Sequence, residues 1–302
     1  MKTKSKSIIR TVCHSFGGVV CAAAVMLIAS STQAQNLFEA DGGSSSIYEF
    51  TPSGTQSTFA TGLSYPTGLA FNNAGDLFET DGKSDNIYEF TSGGMQSTFA
   101  SVTSPYGLAF NSTGDLFVTS ISGGTVTEIT PNGTESIFAS GVKNAIGLAF
   151  NNAGDLFVAS GTEIVEITPT GTQSVFASGL DLVEGLAFNS AGDLFASENE
   201  RGNIWEYTPS GTRSLFASGL SYPIGLAFNN AGDLFVANYG YYGGNSITEI
   251  TPNGSQSIFA SGLNGPTALA FQGETLPVPE PSALGLLAIG MFGITLLRRH
   301  QR

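Results

Sequence analysis

Residues 35–271 are written as short apolar runs separated by clusters of Gly, Pro, Asn, Ser and Thr. From Gly147 the runs read GLAFN, DLFVAS, EIVEIT and QSVFAS. The first two are almost continuously apolar, and the last two alternate with polar positions. Runs of five or six residues rich in Phe, Val and Ile and bounded by turn residues predict β-strands. The connections carry matching turn chemistry. NNAGD supplies a Gly where a hairpin needs positive φ, and TPTGT supplies Pro followed by Gly. No run has the 3.6-residue period of an amphipathic helix.

The group of four strands repeats. GLAF begins at Gly68, Gly107, Gly147, Gly185 and Gly225, and ALAF at Ala268, with spacings of 39, 40, 38, 40 and 43 residues. The partner DLF begins at Asp76, Asp115, Asp155, Asp193 and Asp233, and NLF at Asn36 completes that series. Four strands in about 40 residues is the arithmetic of a propeller blade. The first unit lacks its GLAF strand and the last has nothing after ALAF. The two fragments together make one blade, with its innermost strand from residues 266–271 and its outer three from 36–62. Joining the ends within one sheet removes two weak edges. The expected fold is therefore all-β, a six-bladed β-propeller over residues 35–273 with four antiparallel strands per blade. Three Phe series, beginning at Phe38, Phe59 and Phe71, account for 18 of the 22 Phe and are expected to fill the gaps between blades.

The two ends of the chain differ from this body. MKTKSKSIIR is basic, the apolar run Val19–Ala29 follows, and SSTQAQ has small residues. This is the order of a secretory signal peptide, expected to span residues 1–34. At the other end residues 274–281 form a linker containing Pro279, Glu280 and Pro281. The apolar run Ala283–Leu297 and the basic pair Arg298 and Arg299 complete a tail over residues 282–302. That run is short for a permanent membrane span.

Charge and composition narrow the chemistry. Between residues 35 and 276 four basic residues stand against 23 acidic ones, a formal charge of −19. Nucleic acid and anionic membrane are poor partners for such a surface, whereas cations suit it. Cys13, Cys21 and His14 lie in the leader and His300 in the tail. The propeller segment therefore holds no Cys or His, which excludes thiol nucleophiles, histidine-based triads and ordinary zinc sites.

The repeated segment YPTGLAFNNAGDLFETD resembles NHL-repeat proteins and, more widely, the six-bladed propellers of the senescence-marker/gluconolactonase group. The Pro-Glu-Pro motif, short apolar run and terminal Arg cluster resemble a PEP-CTERM sorting signal. That resemblance implies a Gram-negative bacterium, export, and transient membrane anchoring through the C-terminal segment. It further implies an exosortase partner and delivery to the cell surface or an extracellular matrix.

The repeat also separates scaffold from candidate site. Glu49, Glu89, Glu128, Glu166, Glu206 and Glu249 recur in every unit, and Asp76 with its counterparts follows the hairpin Gly in five; both series are read as structural. The residue before each GLA differs: Thr67, Tyr106, Ile146, Glu184, Ile224 and Thr267. Lactonases of the gluconolactonase group bind a divalent metal through carboxylates and amides at such positions. Here Glu184 alone fits, too few oxygens for a hard cation. A second series, ending the second strand, includes Asp41, Asp81, Glu198 and Asn238, whose oxygens are expected on one rim where calcium is a candidate. No other cofactor is expected. Tyr106, Tyr222, Tyr239, Tyr241 and Tyr242 are expected on that face with Glu184, Glu198 and Arg201, as a ligand-binding rim for a surface such as polysaccharide. The leading expectation is a non-enzymatic binding or scaffold protein. The alternatives are a metal-dependent hydrolase or lyase of the gluconolactonase type and a purely structural matrix protein.

Overall fold

The computed structural model describes residues 35–240 and 245–273. They form six four-stranded antiparallel sheets. The closing blade has the order Pro266–Phe271, Leu37–Asp41, Ser46–Phe50, Gln56–Thr61 from the inside outward. The other five run in chain order. The second spans Pro66–Phe71 to Gln96–Ser101 and the third Pro105–Phe110 to Glu135–Ser140. The fourth spans Ala145–Phe150 to Gln173–Ser178, the fifth Val183–Phe188 to Arg213–Ala217, and the sixth Pro223–Phe228 to Gln256–Ser261. Each innermost strand neighbours those of the blades before and after it, so the six close a ring around a channel.

The predicted joint between the chain ends is present. Leu37 pairs with Phe271 and Ala40 with Ala268. Gln272 donates its backbone N–H to Asn36 O at 2.9 Å, and Gln35 Nε2 donates to Gln272 O at 3.1 Å. With a ladder of this kind, unravelling either terminus breaks a complete sheet rather than an edge.

Burial follows the sequence pattern. In five of the six blades all five residues of the second strand are buried, because both of its faces meet neighbouring blades. The outermost strands open with three exposed residues. The Phe series form the interior. Phe117 lies 5.0 Å from both Phe138 and Phe150 with rings near perpendicular, and the same triple occurs at Phe78, Phe157, Phe195 and Phe235. Edge-to-face contact is the favoured arrangement of such rings.

The Gly of GLAF is required by close approach. A Cβ at Gly185 would lie 2.0 Å from Ile224 O, and one at Gly147 2.1 Å from Glu184 O, each a carbonyl of the next blade. Hydroxyls of the second strand satisfy several of these carbonyls: Thr119 Oγ1 donates to Ile146 O at 2.6 Å and Ser197 Oγ to Ile224 O at 2.9 Å. The NNAGD turns close on themselves. Asn72 Oδ1 accepts the N–H groups of Ala74 and Asp76 while its Nδ2 donates to the Asp76 carboxylate, and the arrangement recurs at Asn151, Asn189 and Asn229. The recurring Asp is thus a turn residue, as its recurrence implied.

Candidate functional site

Every innermost strand runs from the residue before GLA at one mouth of the channel to the Phe at the other. Leu69, Leu108, Leu148, Leu186, Leu226 and Leu269 project into it as an apolar waist and border the cavities on both sides. One cavity, of about 520 Å³, is a funnel lined by the Ala and Phe of the repeat and by Asn152, Asn189, Asn229 and Asn230 from the turns. Both ends of the described propeller lie at this funnel: Gln35 bonds Gln272, and its Oε1 accepts the N–H of Asn230 at 3.0 Å.

The opposite mouth holds a smaller cavity, of about 90 Å³, which takes in Thr67, Tyr106, Glu184, Ile224 and Thr267. The variable residues before GLA thus share one mouth. Tyr106, on the third blade, donates its hydroxyl to Glu184 Oε2, on the fifth, at 3.2 Å, so the pair reaches past the fourth blade. Burial pushes the Glu184 carboxyl up to about 7, and the Tyr106 hydrogen bond opposes the rise. The Tyr106 phenol is held well above its usual range, first by burial and then by the Glu184 charge. Tyr65 and Tyr239 stand close enough to add to that field, and their hydroxyls are 3.3 Å apart. Lys83 Nζ lies 4.9 Å from the Tyr65 ring centroid. Tyr222 is half-buried in the loop before the sixth blade, and its carbonyl accepts the Tyr239 N–H at 3.0 Å. Tyr241 and Tyr242 lie outside the described residues, as do Pro279, Glu280, Pro281 and residues 1–34.

The three carboxylates considered for calcium accept hydrogen bonds from neighbouring groups. Asp41 accepts the N–H groups of Ser44 and Asn264 at 2.8 and 2.6 Å. Asp81 accepts those of Ser84 and Ser64 at 3.1 and 2.5 Å. Glu198 accepts the Asp181 N–H on one oxygen and Asn203 Nδ2 and Trp205 Nε1 on the other, each at 2.9 Å. Asn238 Nδ2 donates to Thr248 Oγ1 at 2.9 Å, and the buried Asn238 Oδ1 accepts no hydrogen bond among the described residues. The carboxylates at the end of the second strand tie the loop that follows to the loop entering the same blade. Among the described residues no group of three or more His, Cys, Asp or Glu is arranged to hold a metal ion. Arg201, exposed, pairs with Asp181 at 3.1 Å and stands 3.8 Å from Glu198.

Two carboxyls were not singled out by the sequence reading. Glu39 and Glu79, on the second strands of the closing and second blades, are both 0% exposed, and neither has a hydrogen-bond partner among the described residues. The corresponding residues of the other blades are Val118, Val158, Ala196 and Val236, so a carboxylate at this register is an outlier visible in the aligned repeats.

Comparison with known proteins agrees with this architecture. Residues 277–300 match the PEP-CTERM protein-sorting motif. That motif is an exosortase recognition signal, and it implies export with C-terminal membrane anchoring before processing. Among the described residues no helix is long and apolar enough to cross a membrane, and the apolar run 283–297 lies outside them. No curated protein matches the chain in sequence. Among solved structures, a chain from a nidogen/laminin complex superposes with a TM-score of 0.71 at 17% identity, covering 80% of this chain and 99% of that one. Virginiamycin B lyase from Staphylococcus aureus gives 0.59 at 16% identity, covering 78% and 87%. A putative gluconolactonase gives 0.60 at 15%, covering 70% and 82%. At these identities the likeness is one of fold. The chain is an exported protein in which a six-bladed β-propeller is followed by a PEP-CTERM sorting motif.

Proposed function

We propose that the protein is a surface or matrix binding protein that holds a polysaccharide on the face bearing Glu184 and the tyrosines. The observation that carries this reading is the opposition of the two faces. The sorting tail follows Gln272, which is bonded to Gln35 at the funnel, whereas Tyr106 and Glu184 occupy the other mouth. A chain tethered through that tail presents the tyrosine face away from the tether. Aromatic rings beside a carboxylate suit a sugar surface, which offers apolar C–H faces and hydroxyl donors. The absence of Cys and His from the propeller segment also favours binding over most hydrolytic chemistry.

A glycan array probed with the purified protein tests this. Binding is expected, and Tyr106→Ala together with Tyr239→Ala should abolish it while the fold is kept. An array without a hit, or binding that survives both changes, overturns the reading. A second reading, acid–base turnover of the lactonase or lyase kind, is favoured by one observation, the Glu184 carboxyl poised near 7. It requires turnover of a lactone or ester that Glu184→Gln removes without weakening substrate binding.

A further inference from the structure

We infer that the small cavity at the tyrosine mouth is a site for a primary ammonium group, seated on Glu184 and Tyr106. This rests on the reading of that face as the ligand face and specifies the substituent that enters it. The first argument is size. A protein cavity of 150 Å³ accepts a benzene molecule. The cavity here, of about 90 Å³, is too small for a pyranose ring but takes an amino group and the carbon that bears it. A polymer would lie across the mouth and insert one substituent.

The second argument is the polarity of the side chains that line it: their hydroxyl protons are already spent on neighbours, so they offer acceptors. Thr67 Oγ1 spends its proton on the second strand of its own blade, with Thr80 O at 3.0 Å. Thr267 Oγ1 spends its proton on Ala40 O or Pro66 O, both at 2.9 Å. Tyr106 gives its proton to Glu184. The N–H groups of Gly107 and Gly185 are taken by Thr119 Oγ1 and Ser197 Oγ. What these groups offer an incoming ligand is oxygen lone pairs and one carboxylate. Glu184 Oε1 accepts no hydrogen bond among the described residues, and no Lys or Arg borders the cavity. The complement of one carboxylate flanked by acceptor side chains in a small cavity is a monovalent cation with several N–H donors, which an ammonium is. A divalent metal would want six or more oxygens and more charge than one carboxylate supplies. The propeller's large acidic excess draws cations toward the site.

The shared chemistry could come from an amino sugar within a polysaccharide or from a free alkylamine, and titration calorimetry with three probes separates them. The probes are a hexamer of glucosamine, the same hexamer fully N-acetylated, and 1,5-diaminopentane. The glucosamine hexamer and the diamine are expected to bind the wild type, and the N-acetylated hexamer to bind at least tenfold more weakly. Glu184→Gln should abolish binding of the diamine. Wild-type protein gives a check that needs no variant. Because burial holds Glu184 near 7, diamine affinity should fall at least about tenfold from pH 8 to pH 5, where the amine stays charged and the carboxylate does not. Diamine affinity that is unchanged in Glu184→Gln, or flat from pH 8 to pH 5, overturns the assignment. Equal binding of the two hexamers also overturns it, but leaves the polysaccharide reading standing. Diamine binding with neither hexamer bound keeps the ammonium site and overturns polysaccharide as its source. No binding of any probe overturns both.

Discussion

Tyr65 and Tyr239, 174 positions apart in the chain, bring their hydroxyls to 3.3 Å above the blade that closes the ring. Tyr65 leads into the second blade and Tyr239 follows the second strand of the sixth, so they belong to the two neighbours of the closing blade. Their rings rest on its loops. A Cβ at Gly42 would meet the Tyr65 ring at 3.0 Å, and one at Gly265 would meet the Tyr239 ring at 3.1 Å. The pair acts as a clasp over the joint between chain ends. Tyr65→Phe is expected to lower unfolding stability by about 1 kcal/mol, the net worth of one hydrogen bond. Gly265→Ala should cost more, because it lifts the ring and puts a side chain at φ 85°. Urea unfolding of both variants checks the order.

The perpendicular Phe stacks make a second prediction. Phe117 is buried between Phe138 and Phe150, and Phe117→Ala should cost about 3–5 kcal/mol. Ile137, on the outermost strand of the same blade, is 62% exposed, and Ile137→Ala should stay within about 0.5 kcal/mol. Equal losses for the two would contradict a core built from the Phe series.

The repeated Gly of the innermost strand sets up a graded test. A methyl at Gly185 would lie 2.0 Å from a carbonyl of the next blade, while one at Gly225 would lie 2.8 Å from Thr267 O. The closing blade already carries Ala268 at this register. Gly185→Ala is therefore expected to destabilise by about 1–3 kcal/mol and Gly225→Ala by less. Melting temperatures in the reverse order would show that blade spacing, not carbonyl approach, keeps Gly there.

The fold was legible because the sequence states it six times. Turn chemistry at NNAGD, apolar second strands and the split first and last units each pointed to the same ring, and a chance match at one unit was corrected by five others. The mouth was partly legible: strand polarity alone puts Thr67, Tyr106, Ile146, Glu184, Ile224 and Thr267 at one end. The use of the rim oxygens was not. Asp41, Asp81 and Glu198 end equivalent strands, so symmetry suggested convergence. Side-chain direction, however, is set by the nearest unsatisfied backbone N–H groups, such as those of Asn264, Ser64 and Asp181, and strand pattern does not specify which loop offers them. Glu39 and Glu79 escaped notice for another reason. Averaging over repeats hides a position where two members break the rule that four obey.

Those two carboxyls predict how stability responds to pH. Glu39 belongs to the face of the closing blade that carries Leu37, which packs on Phe235, Ala237 and Ile247 of the sixth; Glu79 belongs to the face of the second blade that packs on Phe38, Ala40 and Ile47 of the closing one. The charged and titratable groups beside them are Asp41 and Tyr48 for Glu39, and Asp81 and Tyr88 for Glu79. Burial first, then the neighbouring Asp, pushes Glu79 up to about 9 and Glu39 well above the usual carboxylate range. Both are therefore protonated in the folded protein at neutral pH and ionised in the unfolded chain. The unfolded state binds fewer protons above its own carboxylate value, so unfolding stability must fall as pH rises. The fall begins near 4.5 and continues through about 9, where Glu79 itself ionises in an apolar interface. The losses should concentrate at the two seams of the closing blade, so the chain ends should open first, seen as hydrogen exchange of Leu37–Asp41 and Pro266–Phe271 rising with pH beyond its intrinsic base catalysis. Glu39→Gln with Glu79→Gln keeps shape and removes the charge, and should make the fall between pH 5 and pH 9 shallower, with the loss that Glu184 contributes up to about 7 remaining. Should the double variant lose stability with pH as steeply as the wild type, these carboxyls are not what couples closure of the ring to protons.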